Sequence, residues 1–388
     1  LHYMPTKTAK TKPWKLTVRR AQLCADVVEY FSPTNAKSKL FQRTEVTFVD
    51  THGNLEEGVD QGGLTVELYS SFFREVLLQD FGLFEGVSDE SSTSVGLLPS
   101  PTASPNSMEN VGRILCKCVL DDQPLGRGIG RFVFEFLADT HEQRVFRDAA
   151  SALAALADFD PQLAQGWAQL LAQPERAAGL TFENFDPDAD DDELPADELP
   201  AAVERAVLAG CRHKLLKARE RSLLALRAGF TESVDLRIQL GALSSSELLR
   251  MLRGNTELSS DELLGCFAWP DSQGASAATV AEAGFAAVDS DAPRFLREII
   301  EDPSAETGLG STERLHLLEW ATALTALPCG GLKEPILLRH FEGANDDDLP
   351  NVHTCTHEIH LPSYTSREQL RRKLLLAVEH RHDGFNIE

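Results

Sequence analysis

No stretch reaches the roughly 18 apolar residues that a membrane helix requires; the nearest candidate, Trp320 to Leu332, is too short. A membrane-spanning helix is therefore excluded. Basic charge is also scarce: Lys and Arg number 37 against 60 Asp and Glu, giving a net charge of −23. So acidic a surface repels phosphate backbones and argues against nucleic acid as the main partner. A disulfide framework is lacking too. The seven cysteines, at 24, 116, 118, 211, 266, 329 and 355, are odd in number and widely scattered. They read as reduced thiols of a cytosolic or nuclear protein. There is no internal repeat, and no methionine at position 1, as expected of a piece of something longer.

What is present suits a folded protein. Hydrophobic residues make up 42% and charged residues 25% of 388, enough for a sizeable core in one large domain or two to three ordinary ones. Lys7, Lys10, Lys12, Lys15, Arg19 and Arg20 precede the first acid, Asp26; residues 1–21 are read as a basic linker or a helix leading into the domain. Apolar spacing at Leu23, Val27, Val28 and Phe31 predicts a helix, and TEVTFVD, ending at Asp50, a strand. Glycines 53, 58, 62 and 63 mark tight turns around the acid pair Glu56-Glu57, expected to be solvated. Leu64, Leu68, Phe72, Val76 and Leu77 form one helical stripe.

Further along, Ser, Thr and Pro dominate 86–107, expected as a largely exposed loop with an apolar island at Val95–Leu98. Helical spacing returns at 111–119, 132–137 and 149–178. Eight acids crowd Asp186–Glu198, most simply a solvated loop. A long mixed-charge helix is predicted over 201–226 and a Ser-capped one over 244–252. Residues 268–291 are small and weakly patterned, a linker signature. After it, Thr365–Glu368 matches a capping box, followed by a helix with Leu370, Leu374, Leu375 and Val378 on one face.

Cys355 is the residue with the most chemistry around it. It sits in NVHTCTHEIHLPSY, flanked by His353, Thr354 and His357, groups that can favour and solvate a thiolate. Glu342 and Asp346 to Asp348 upstream oppose a further negative charge, and the residues alone do not decide between nucleophile and ordinary cysteine. The same HTCTHEIH holds three histidines and a cysteine, yet zinc sites draw ligand pairs from two separated segments, and no second pair is evident. GRGIGR at 126–131 lacks the Lys-Ser/Thr ending of a phosphate loop and follows no strand, so it reads as a turn. No ATP site is visible.

Taken in order, these segments resemble the HECT-type ubiquitin-protein ligase domain. EEGVDQGGLTVELYSSFFREVL (56–77), FGLFEG (81–86), VGRILCKCVLDDQPL (111–125), LRAGFTESV with SSSELLRMLRGN (226–234, 244–255), and LPNVHTC, LPSY and REQLRRKLLLAVEH (349–380) are similar to the family's signatures, in register. The resemblance implies an α+β, bilobal fold: a large, mostly helical N-lobe over 22–267 and a small α/β C-lobe over 292–388. A small subdomain near 153–200 would bind the ubiquitin-conjugating enzyme, and 268–291 would be the hinge. It also implies that Cys355 takes ubiquitin as a thioester, that His353 and Thr354 shape its surroundings, and that Phe385 is the tail aromatic used in passing ubiquitin to lysine.

Members often carry Cys-Phe-Asn-x-Leu-Asp-Leu-Pro, whereas this chain has histidines at 357 and 360 in place of the Asn and Asp. The assisting base is thereby left open, with Glu388 or another carboxylate as candidates. The expected partners are ubiquitin, a conjugating enzyme and a protein substrate. Thioester exchange is nearly thermoneutral and calls for no cofactor or metal. Two other readings stay open: a catalytically silent module that binds ubiquitin or the conjugating enzyme, and an acidic helical scaffold with an incidental cysteine.

Overall fold

The computed structural model describes residues 12–36, 38–56, 63–78, 81–86, 96–126, 128–270, 283–288, 290–354 and 356–380. The fold is α+β, with its buried apolar residues gathered in two cores. The larger core opens with a parallel pair, β1 (Trp14–Arg19) and β2 (Thr44–Val49), in register from Trp14 opposite Thr44. Alternate residues of both strands are buried, the period-2 signature of a half-covered sheet. Between them lie α1 (Leu23–Tyr30) and the short α2 (Pro33–Ala36). Next comes α3 (Gly63–Val76), whose Leu68, Phe72 and Val76 are wholly buried, as their spacing requires. Glu56 is tied to Arg20, which also holds Glu67 at 2.7 Å; Glu57 lies outside the described residues.

Residues 96–107 depart from the expected exposed loop. Leu98 is fully buried in β4 (Leu98–Pro99), which pairs with β3 (Phe84–Glu85), and the chain enters α4 (Pro105–Asp121) at Pro105. Residues 87–95, with Val95, lie outside the described residues. Helices α5 (Arg131–Leu137), α6 (His141–Arg144), α7 (Ala149–Phe159) and α8 (Pro161–Ala172) follow. Asp148 and Asp160 cap the last two by accepting the Ser151 and Leu163 amides.

The helix predicted over 201–226 is in fact two, α9 (Leu199–Leu215) and α10 (Glu220–Thr231). No Gly or Pro marks the break. Arg219 makes it, because its guanidinium turns inward to the Lys214 and Pro99 carbonyls and Glu85, under the Phe159 ring. The short α11 (Arg237–Gly241) leads to α12 (Ser245–Arg253), which Ser244 and Glu247 cap reciprocally as expected.

The smaller core runs from Leu258 to Val378. It contains α13 (Ser260–Leu264), α14 (Ala292–Glu301), α15 (Ser311–Thr322), α16 (Arg367–Glu379) and one four-stranded sheet. That sheet orders β5 (Phe267–Ala268), β6 (Ile336–His340), β8 (Glu358–Leu361) and β7 (Asn351–His353), parallel except for the β7–β8 ladder. Packing thus changes hands between Leu252 and Leu258, earlier than the suggested boundary at 267. Phe267, given above to the large lobe, and Trp269, Ala283 and Phe285, given to the linker, are all buried in the smaller core; 271–282 lie outside the described residues. Ser366, rather than Thr365, caps α16, because its hydroxyl accepts the Gln369 amide.

Two features of the larger core decide its stability. Helices α4 and α10 cross so closely that a Cβ on Gly229 would stand 1.8 Å from the Glu109 carbonyl, and one on Gly112 2.1 Å from the Leu226 carbonyl. Both obstacles are backbone, which cannot swing aside. We expect Gly229→Ala to lower unfolding free energy by about 3 kcal/mol, the upper end for forced overpacking, as read by urea denaturation.

His141 is packed among Phe132, Phe136 and Phe146, with its Nδ1 making no hydrogen bond among the described residues. Burial, reinforced by Arg227, lowers its pKa from the usual 6.5. The unfolded chain therefore takes up this proton first. Its stabilising contribution is complete above the unfolded pKa and lost as pH falls through the folded one. We expect His141→Phe to flatten the decline in stability below pH 6.5, measured by thermal melts across the acid range.

Candidate active site

The sulfur chemistry of the chain is sorted by burial. Cys24, Cys116, Cys118, Cys211 and Cys266 are all buried. Burial raises each of their thiol pKa values, to about 12 for Cys116 and Cys211 and about 11 for Cys266. Such thiols hold almost no thiolate at neutral pH and are inert. Among the described residues Cys329 is the exposed cysteine, and no histidine adjoins it in sequence. Cys355 and Phe385 lie outside the described residues, as does Glu388.

Position 355 is framed by two strands. β7 ends at His353 and β8 begins at Glu358, and these two residues face each other across the antiparallel ladder. The Thr356 amide donates to the His353 carbonyl at 3.2 Å, and Thr354 and Thr356 both lie in turn conformation. His357 follows with φ 53°, in the left-handed region. The Leu337 amide of β6 donates to the His357 carbonyl at 2.8 Å, and His357 Nδ1 lies 3.1 Å from the Glu334 carbonyl. The turn is therefore anchored to the parallel neighbour strand as well as to its own hairpin.

On one side of this hairpin Val352, Ile359 and Leu361 enter the core. Asn351, His353, Glu358 and His360 alternate with them and face outward. Glu358 accepts from Arg339 Nε at 3.0 Å and from Thr356 Oγ1 at 3.1 Å. Burial works to raise its pKa, but Arg339 and Thr356 outweigh it and hold the carboxyl below its usual range. The His353 and His360 rings meet edge to face, centroids 4.8 Å apart.

The structure thus brings His353 and His360 together and sends His357 elsewhere, toward Glu334. The strand alternation of HEIH was a signal that Glu358 and His360 share a face; nothing in the sequence tied Arg339 to them. Thr354 is half-buried within the turn.

Among the described residues, three potential metal ligands converge at one place, Asp186, Asp188 and His213. His213 Nδ1 lies 3.0 Å from Asp186 and 3.2 Å from Asp188, while Lys217 Nζ takes the other Asp186 oxygen at 2.8 Å. The lysine already supplies the positive charge that a cation would bring, so the group is a salt-bridged knot. It also departs from the expectation of a solvated acidic loop: Asp186 is buried, and Leu194 is in the core.

The comparisons bear on the frame around position 355. Over 96% of its length the chain is 24% identical to a bifunctional serine/threonine-protein kinase/NEDD4-like E3 ubiquitin-protein ligase of Dictyostelium discoideum, of which it covers 22%. Over 97% it is 24% identical to the E3 ubiquitin-protein ligase ptr1 of Schizosaccharomyces pombe, and over 96% it is 23% identical to the E3 ubiquitin-protein ligase TOM1 of Saccharomyces cerevisiae. It spans 11% of each of those two proteins. A family model described as HECT-domain (ubiquitin-transferase) matches residues 70–388, running through the β7–β8 hairpin to the last residue. The match covers well over half of the chain, with all of the smaller core and the larger core from Phe72 onward, and on that ground the chain belongs to the HECT-domain family.

Proposed function

We propose that this chain is a ubiquitin-protein transferase, accepting ubiquitin from a conjugating enzyme as a thioester on Cys355 and passing it to a lysine. The observation that carries the reading is the family match extending over LPNVHTC and the helix after it, with position 355 set between β7 and β8. Five other thiols are buried, and the exposed Cys329 has no histidine beside it in the sequence, which supports the choice of Cys355. In the first step the Cys355 thiolate attacks the conjugating enzyme's thioester and one C–S bond replaces another, so the exchange is close to thermoneutral. In the second an amine replaces sulfur at the carbonyl, which is downhill but needs a lysine stripped of its proton.

The stretch near 153–200, which holds most of α7, all of α8 and the start of α9, is the surface proposed for the conjugating enzyme, and Phe385 the aromatic that assists transfer from the tail. The hinge expected at 268–291 moves to 253–257, between the two cores, where it would let the smaller body move Cys355 between donor and acceptor, since holding large reactants in line is worth several kcal/mol. Scattered, unpaired thiols fit a reducing compartment, the cytosol or nucleus. Incubation with ubiquitin, activating enzyme and a conjugating enzyme, resolved on a non-reducing gel, tests the reading. A thiol-sensitive ubiquitin adduct is expected with the unaltered chain and none with Cys355→Ala. An adduct that survives that substitution places the nucleophile elsewhere.

A further inference from the structure

Residues 328–335, PCGGLKEP, run between α15 and β6 as a largely exposed strap. Gly330 and Gly331 have open space around them, and Gly331 has φ 78°, so little resists rotation on that side. Leu332 leans on the smaller core. Pro335 stiffens the other side, because it confines the preceding Glu334 to extended backbone.

Two adjacent residues of the strap are held by different parts of the molecule. Lys333 Nζ donates to the Asp121 carbonyl at 3.3 Å and lies 3.7 Å from the Asp122 carboxylate. Both acids stand at the end of α4, which Asp122 closes with φ 59°. A helix C-terminus carries unsatisfied carbonyls and the negative pole of its dipole, so it attracts an ammonium. Lys117 and Tyr69 occupy the Asp121 carboxylate, which leaves its carbonyl and Asp122 to Lys333. One residue on, the Glu334 carbonyl lies 3.1 Å from His357 Nδ1. A carbonyl only accepts, so that nitrogen carries the hydrogen. The backbone of His357 is fixed separately, its carbonyl accepting from the Leu337 amide at 2.8 Å.

We propose that Lys333 and Glu334 form a lever that couples the end of α4 to the turn before β8. With Lys333 docked on α4, the Glu334 carbonyl is held where His357 donates to it. When Lys333 leaves, that carbonyl is released and the turn loosens. The turn is thus firm only while the smaller body is seated on α4 as it is here. Lys333 and Asp122 are 71% and 56% exposed, so their ion pair is weak, as suits a contact that is made and broken. Lys333 is a positioning residue: it acts on the turn through Glu334 and His357. The lever goes beyond the transfer reaction proposed above and needs neither the thioester nor the assignment of Cys355. A chain that never takes up ubiquitin leaves it intact.

Nuclear magnetic resonance of the full chain provides the test. One readout is solvent exchange of the exposed Thr356 amide, and the other is the His357 ring nitrogen shifts, which report the tautomer. The Phe341 amide, which donates to Leu361 at the far end of the β6–β8 ladder, is the control. Lys333→Gln is expected to speed Thr356 exchange by about threefold to fivefold, the size of an exposed ion pair, and to move His357 toward a mixture of tautomers. Asp122→Asn, made in the larger body, is expected to do the same, and the double variant to add nothing further. Lys333→Arg keeps the slow exchange. Salt at about 1 M, where the Debye length is about 3 Å, brings the unaltered chain to the level of the variants and leaves theirs where it was. Unchanged Phe341 exchange reports that each variant is folded. Asp122→Asn without effect at Thr356 and His357, additive losses in the double variant, or faster exchange at Phe341 as well overturns the proposal.

Discussion

The crossing of α4 and α10 is the constraint from which the arrangement follows. Glycine on both helices lets two backbones come into contact, and a side chain on either would drive them apart. The same crossing organises charge. Arg113 of α4, almost fully buried, donates to Glu232 just beyond α10 at 2.5 Å and to Asn110 at 2.6 Å. One turn on, Lys117 reaches the Gln42 carbonyl at 2.8 Å and Asp121 at 2.7 Å. Buried charges are tolerated only when paired and hydrogen-bonded, and here the pairs bridge α4 to the segments on both sides of it.

The end of α4 is also where the two cores meet. Leu125 and Gly126 donate to the Leu252 and Arg253 carbonyls, and Asn255 and Leu327 exchange backbone hydrogen bonds at 2.7 and 3.0 Å. Gly254 between them has φ 76°, and a Cβ there would stand 2.8 Å from the Leu327 carbonyl. Lys333 of the smaller body reaches the Asp121 carbonyl at 3.3 Å. These are backbone and exposed ionic contacts, thin beside the apolar packing within each core.

Much of this was legible because the signals were periodic or chemical. The α3 stripe, the Ser244 cap and the helices around 111–119 and 132–137 follow directly from spacing. What escaped was decided at a distance. The α9–α10 break depends on Arg219 finding carbonyls and an acid from three other segments, and no local residue announces it. Leu98 is buried by its partners, in a stretch whose Ser and Pro content reads as loop. The capping box near 365 was displaced by one residue because Thr365 and Ser366 both offer a hydroxyl, and helix geometry chooses between them. At the candidate site, Cys355, His353 and Thr354 stood out by type and neighbours. The His353–His360 pairing needed the register of the ladder, which only the fold supplies.

The two departures from the family's usual residues differ in kind. At 357 the backbone decides: φ is positive, and asparagine and histidine are both enriched there. The exchange keeps a residue the turn accepts, and the new ring settles against the Glu334 carbonyl. At 360 the strand makes no such demand, so the change from carboxylate to imidazole is chemical. An aspartate there would share a face with Glu358 and compete for Arg339, adding a repulsion to a chain already at −23. Histidine leaves the Arg339–Glu358 pair undivided and gives His353 an aromatic edge to rest against.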